Sequence, residues 1–396
     1  MEVRRKSRIK TLIEILIVSL KLGCTSFGGP IAHLGYFHQE YVRRRKWMDE
    51  ESYADLVALS QFLPGPASSQ VGIGVGVIHG GVIGGIISFV GFTLPSVLVL
   101  IVFAMYLHTF NVNEAGWIHG LKIVAVVVVA HAILGMAKKL TPDMPRQTIA
   151  LAALIAVLVI PAATIQIIVI ILAAVVGFLI YRNQIAADKL QSIKQFPVSR
   201  RFGLLCLVAF FLLLFLLPIL SRVISSDWFA IISDFYRSGA LVFGGGHVVL
   251  PLLEQAFVQA GRLNESQFLA GYGVTQAVPG PLFTFAAYIG TIMKGSLGGV
   301  IAIVAIFLPA FLLILGVLPF WNTIRGNAKV KGALMGVNAA VVGILLAALY
   351  NPIWTTSILD VYDFVLAAIL FGMLVFWKMP PWTVVIAGIL GGWLML

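Results

Sequence analysis

Two cationic side chains stand at matched places in a chain otherwise poor in charge. Lys21 and Arg237 each lie six residues ahead of a Phe-Gly-Gly element, Phe27-Gly28-Gly29-Pro30 and Phe243-Gly244-Gly245-Gly246, the second followed by His247. A second breaker follows each, Gln61-Phe62-Leu63-Pro64-Gly65-Pro66 and Gln276-Ala277-Val278-Pro279-Gly280-Pro281. The first pair is 216 positions apart and the second 215. An ammonium or guanidinium inside apolar sequence is costly and usually functional. Glycine and proline interrupt helices there, and helices that restart after a break present N-terminal amides with partial positive charge. Two cations, four helix starts and the donor amides of Gln61 and Gln276 suit a divalent oxyanion better than a cation or a sugar.

Each of these residues also has a plainer reading. Lys21 and Arg237 can snorkel to an interface, and the breakers can simply let helices kink and pack closely. Gln61 and Gln276 can tie neighbouring helices together. Ser68 and Ser69 follow one break and Phe283 and Thr284 the other, so the halves need not contribute alike. His247 can donate to an anion, titrate or pack. Asp55 and Glu254, with Glu14, are candidates for proton coupling, because acids within spans are expensive; Asp55 can instead pair with the basic cluster at 43–46. Glu50 and Glu265, at matching helix starts, are expected as caps.

The elements that must position these residues are membrane helices. Of 396 residues, 60% are hydrophobic and 11% charged, with a mean hydropathy of +1.01; a soluble domain carries about 25% charged residues. Apolar runs at 151–160, 165–180 and 204–220 do not alternate in polarity, which excludes a β-barrel. Arg4-Arg5-Lys6 precedes an apolar stretch without a small-residue cleavage site, unlike a secretory signal. Cys24 and Cys206 lie in apolar segments and are expected as free thiols. Seven scattered histidines give no metal-ligand spacing, so neither a metal nor a cofactor is expected. The net charge of +11 follows from basic residues held on the cytoplasmic side rather than from nucleic-acid binding.

The repeat extends past the breakers. Met48-Asp49-Glu50 matches Leu263-Asn264-Glu265, Gly84-Gly85 and Leu94-Pro95 match Gly298-Gly299 and Leu308-Pro309, and Gly120 matches Gly332. Residues 1–181 and 230–396 are expected to be two copies of one unit, joined across 182–229 by a polar stretch and a linking helix at 202–220. If 11–30 crossed the membrane fully, the basic residues at 4–10 would face those at 43–46 from opposite sides, against the positive-inside rule. Residues 11–42 are therefore expected to form a hairpin turning at 27–30, and 51–79 a second turning at 64–66. Spans follow at 82–108, 117–138, 147–160 and 164–181, with a joint at Pro161 and the basic residues Arg182, Lys189 and Lys194 on the cytoplasmic side. The linking helix crosses once, so the second copy is upside down, with Arg325, Lys329 and Lys331 inside. The expected architecture is an all-α polytopic membrane protein of two inverted-topology repeats with broken, re-entrant helical hairpins. Such paired breaks point to a transporter's binding site.

Phe27-Gly28-Gly29-Pro30, Gln61-x-x-Pro64-Gly65-Pro66 and Phe243-Gly244-Gly245-Gly246-His247-Val248-Val249-Leu250-Pro251 together resemble the chromate ion transporter family in its long, two-domain form. The resemblance covers essentially the whole chain. It implies export of chromate from the cytoplasm, hence chromate resistance, with sulfate the closest chemical mimic. The family's motif residues carry over onto 27–30, Gln61, 64–66, 243–247, Gln276 and 279–281. Here the second break reads Gly-Gly-Gly-His rather than Gly-Gly-Pro, so the two sites are chemically unequal. The expected function is a secondary transporter in the plasma (inner) membrane, with a cytoplasmic N-terminus, working by alternating access around a midplane anion site. Import or exchange of sulfate or another oxyanion, and an oxyanion channel, stay open, as does a homodimer. No cofactor fingerprint, haem-ligand pair or paired catalytic carboxylates argues for an enzyme.

Overall fold

A computed structural model describes residues 2–110, 116–160, 165–181, 198–224, 226–321 and 328–395. Its helices are α1 (Glu2–Thr25), α2 (Gly29–Phe37), α3 (Glu50–Phe62), α4 (Ala67–Phe110), α5 (Gly116–Leu140), α6 (Met144–Val159), α7 (Ile165–Tyr181) and α8 (Arg200–Val223). The second half contributes α9 (Asp227–Ala240), α10 (Val249–Leu253), α11 (Glu265–Thr275), α12 (Phe285–Val317), α13 (Ala328–Ala348), α14 (Val361–Val375) and α15 (Pro381–Met395). There is no strand among the described residues, and the chain is an all-α, multi-pass membrane protein. The second leg of α4, then α5, α6, α7 and α8, cover the spans expected from hydropathy. The joint at Pro161 and Arg182, Lys189, Lys194 and Arg325 lie outside the described residues.

Local chemistry sets the boundaries. α3 and α11 begin at Asp49, which accepts from the Ser52 amide at 2.8 Å, and at Asn264, which accepts from the Ser266 amide at 2.8 Å. The caps are thus one residue before the expected Glu50 and Glu265, because the shorter side chains suit the orphan amides of the first turn. Glu50 instead pairs with His38 at 2.6 Å and Arg43 at 2.9 Å.

α4 and α12 each fold back on themselves. The backbone reverses at Gly81 (φ 69°, ψ −170°) and at Gly295 (φ 68°, ψ −169°). Gly76 then packs against Gly84, and Gly290 against Gly298. Ser88 Oγ donates to the Gly72 carbonyl at 2.8 Å, holding the two legs of α4 antiparallel. The leg at 67–80 rises about 21 Å at 1.5 Å per residue, short of a ~30 Å hydrocarbon core. α3, α9 and α11 are as short or shorter. α1 and α2 also lie antiparallel: Lys21 reaches Glu40 at 3.1 Å, and Arg45, one turn beyond, reaches Glu14. The chain turns between them at 26–29.

The compact units do not follow the chain halves. One gathers residues 1–105, 191–246 and 278–323; the other gathers 106–190, 247–277 and 324–396. In the first, α12 packs on α8 and α9, with Gly239 against the Ile306 carbonyl just as Gly23 of α1 meets that of Phe92. In the second, α5 packs along α14 and α15, while α13 packs along α6 and α7. Gly120 meets Gly388 and Gly392, and Gly177 meets Gly332 and Gly336. Small residues permit this close approach in lipid, where no hydrophobic drive joins helices. In the second unit, helices at matching places in the two halves therefore exchange partners, whereas in the first α1 packs on α4 and α9 on α12 within each half. α8 lies at the periphery: Leu205 is 67% exposed and Phe215 66%, an apolar surface that requires lipid as its solvent.

Candidate functional site

The four breaks fall in the first unit. Gly28 and Gly29 take φ of 94° and 76°, and Gly244 and Gly245 take 78° and 147°. Within the Pro-Gly-Pro elements, Gly65 and Gly280 adopt nearly the same conformation, φ 112° and 109°, which a side chain would strain. Each is flanked by prolines that have no N–H, so its own amide is the donor left at the tip.

Those two amides bond across the repeat. The Gly65 N–H donates to the carbonyl of Val242, just before Phe243-Gly244, at 2.7 Å. The Gly280 N–H donates to the carbonyl of Ser26, just before Phe27-Gly28, at 2.9 Å. Each half's second break is thus tied to the other half's first break, the exchange a local two-fold relation produces. Around the tips the halves differ. Gly65 faces Ala310, whereas Gly280 faces Ser96, whose hydroxyl donates to the Pro279 carbonyl. Gly246 lies beside Pro30 and Leu282.

The helix starts differ too. α2 begins at the first break with no side-chain cap, and α4 begins directly after Pro66. In the second half both breaks run first into 3-10 turns, Gly246–Val248 and Leu282–Thr284. The four expected helix starts are therefore two α-helical starts and two 3-10 starts. In the second 3-10 turn the Thr284 amide bonds to the Pro281 carbonyl at 3.0 Å, which tightens the turn and uses a donor a free helix start would present.

Polar side chains collect around the first half's breaks. His33 of α2 is fully buried, with Nδ1 3.3 Å from Ser68 Oγ and its ring edge-on to Phe92. Its Nε2, with the hydroxyls of Ser26, Ser69 and Thr93, is buried without a hydrogen-bond partner among the described residues. The Gln70 amide donates to the Pro64 carbonyl at 2.8 Å, leaving its oxygen unpaired. The matching positions in the second half are largely apolar, with Phe283 and Thr284 for Ser68 and Ser69 and Phe307 for Thr93. Buried groups left unpaired cost roughly 1–3 kcal/mol each. Four hydroxyl or imidazole groups that can all donate, beside the starts of α2 and α4, fit a ligand rich in acceptor oxygens.

The two matched cations have different surroundings. Lys21 ion-pairs with buried Glu40, which also receives Arg44 at 3.3 Å and Arg45 at 2.9 Å; the Lys21 side chain is 49% exposed. Arg237, in the last turn of α9, is half-buried and makes no ion pair among the described residues. Gln61 is exposed and Asp55 half-buried. His247 and Gln276 are counted with the second unit, where His247 Nδ1 lies 2.7 Å from the Tyr272 hydroxyl and Gln276 Nε2 is buried without a hydrogen-bond partner among the described residues. Glu254 is buried in the second unit. His33, Ser26, Thr93, Ser96 and Glu40 were not singled out from sequence. A histidine and an acid inside the apolar arm after a break are the signal that could have found two of them.

Among the described residues no three His, Cys, Asp or Glu side chains group as a metal site would need. The first unit instead offers four backbone breaks, joined in two pairs by exchanged amides, with hydroxyl and imidazole groups around those of the first half. Residues 13–178 and 229–393 match the family described as chromate transporter. The chain belongs to the chromate transporter family. It is similar to the probable chromate transport protein of Synechococcus elongatus, 29% identical over 94% of this chain and 93% of that one. Its identity to the chromate transport protein of Cupriavidus metallidurans is 26%, over 96% and 91% of the two chains. An uncharacterised transporter of Methanocaldococcus jannaschii is 29% identical, over 85% and 83%. No solved structure matches. Members of the chromate transporter family are transporters rather than enzymes, and the two matched stretches contain all four breaks.

Proposed function

We propose that this chain carries chromate dianions out of the cytoplasm, binding them at the joined breaks of the first unit. The carrying observation is the exchanged pair of amides, Gly65 to Val242 and Gly280 to Ser26. It ties each half's second break to the other half's first, and the unpaired hydroxyls and imidazole beside them can donate to an anion. Chromate has two charges and four acceptor oxygens, and relatives spanning nearly the whole chain bear the name chromate transport protein. Arg237 contributes net positive charge; Lys21, tied to Glu40, holds the first arm in place.

In this reading the two halves are inverted repeats and alternate access by rocking about the shared breaks. The exchange of helix partners in the second unit and of break amides in the first supports it, as does the short reach of α3, α9, α11 and the first leg of α4. The N-terminus and the basic cluster at 43–46 lie on the cytoplasmic face of the plasma membrane. Moving one charge through 100 mV is worth ~2.3 kcal/mol, so a dianion leaving an inside-negative cell gains about 4.6 kcal/mol. Export therefore needs no further energy source.

Inside-out vesicles with an imposed lumen-positive potential test this. Chromate should accumulate by up to about three orders of magnitude at 100 mV, with sulfate and molybdate competing according to their fit. Uptake only into right-side-out vesicles, or uptake indifferent to potential, refutes export driven by the membrane potential.

A further inference from the structure

One carboxylate is not used by the oxyanion site. Glu254 opens a π turn after α10, is buried, and accepts from the Gln259 amide at 3.0 Å. It lines a cavity of about 190 Å³ in the second unit, together with Gln166, Gln255, Gln259 and Asn351 and an otherwise aliphatic wall. That volume admits about six waters at ~30 Å³ each.

The wall is chemically one-sided. Among the described residues it contains one carboxylate and several amides, and no lysine, arginine or histidine. The Gln166 amide oxygen is buried and has no donor among the described residues. Among the described residues Glu265 also acts on Glu254, with charge of the same sign. Regular helix is interrupted around the space. The last turn of α6 lines it with Val157 and Leu158, and the chain beside α13 is extended at Asn351 (φ −131°, ψ 116°) before Pro352, which has no N–H. Helix C-termini and unwound carbonyls favour cations; the start of α7 at Ile165 and Gln166 opposes this in part.

The repeat supplies an internal comparison. Glu40 occupies the corresponding π turn of the first half: the Arg45 amide bonds to the Glu40 carbonyl at 3.0 Å, as that of Gln259 does to Glu254 at 3.1 Å. Glu40 is neutralised by Lys21, Arg44 and Arg45. Glu254 has an amide and a cavity in place of those cations. A buried carboxylate without a positive partner is strongly destabilising. One carboxylate with neutral oxygen ligands suits a single positive charge rather than the several carboxylates of a tight divalent site.

We propose that this cavity binds a monovalent cation, Na+ or a proton on the carboxyl, with Glu254 as the charged ligand and the Gln166 amide oxygen beside it. The inference does not rest on the chromate reading, and its test needs no oxyanion flux. The purified full chain is titrated with 22Na+ in choline chloride, and separately with acid while the infrared band of protonated carboxyls is followed. Saturable Na+ binding, or a carboxyl band absent from Glu254→Gln, supports the proposal. Glu254→Asp should retain either signal, and Gln166→Leu should weaken Na+ binding about ten-fold or move the carboxyl midpoint. Wild type and Glu254→Gln alike in both titrations overturn it. If Glu254→Gln does not fold, an unchanged Gln166→Leu overturns it equally.

Discussion

Replacing Gly280 by alanine tests the joined breaks most directly. At φ 109° an alanine is held outside its favoured backbone regions, at about 1–3 kcal/mol. Its Cβ also falls on Ser96 Oγ and displaces the hydroxyl from the Pro279 carbonyl, a bond worth ~1 kcal/mol. Beyond that hydroxyl its neighbours are at ordinary distance, the Phe92 carbonyl oxygen and Ser96 Cβ both at 3.6 Å. Gly280→Ala should therefore cost about 2–4 kcal/mol. Gly65→Ala has the same backbone term at φ 112° but meets only the movable Gln70 amide at 3.2 Å and Ala310 Cβ at 3.4 Å, so it should cost about 1 kcal/mol less. Ser96→Ala should cost ~1 kcal/mol alone and almost nothing beside Gly280→Ala, a coupling of about 1 kcal/mol. With Gly65→Ala it should add normally. Equilibrium unfolding in SDS, followed by tryptophan fluorescence, measures all five variants, and vesicle flux of chromate tests whether the joined tips matter for transport. Gly280→Ala no worse than Gly65→Ala, or additivity within about 0.5 kcal/mol beside Ser96→Ala, would refute the reasoning.

The cations should separate in flux assays: Arg237→Ala should abolish chromate movement, whereas Lys21→Ala, whose charge is already matched by Glu40, should leave measurable flux in vesicles with equal protein content. Ser69→Ala and Thr93→Ala each remove a donor without a partner among the described residues and should raise the KM for chromate roughly five- to ten-fold without loss of stability; unchanged KM values remove these residues from the site. At the α5–α6 joint, the bonds from Arg146 to Asp143, aided by the Tyr181 hydroxyl, hold the Asp143 carboxyl down to about 2. Its folded value is below the unfolded one, so its stabilisation is present at neutral pH and fades as pH falls toward about 2. Asp143→Asn should lower the unfolding midpoint at pH 7, and the gap from wild type should close in acid.

Much of this protein is written locally. Apolar runs long enough for lipid identify the spans of α4, α5 and α8, and shorter ones α6 and α7, because hydration of a side chain needs no knowledge of its neighbours. The breaks at 27–30, 64–66, 243–246 and 279–281 are equally legible, since glycine and proline act on their own backbone. Their matched spacing with Lys21 and Arg237 also suggests an anion. Tertiary structure decided the rest. The Gly280 amide finds a carbonyl far away in the chain, at Ser26, and Gly120 finds Gly388 rather than a near neighbour; small residues can pack against many surfaces, and only the folded chain selects one. The same holds for charge. Lys21 and Arg237 are alike in sequence, yet Glu40 pairs with one while the other has no ion pair among the described residues, because an ion's partner depends on which helix comes alongside. His33, Ser26 and Thr93 are ordinary polar residues until packing removes their water and leaves their hydrogen-bonding groups unpaired.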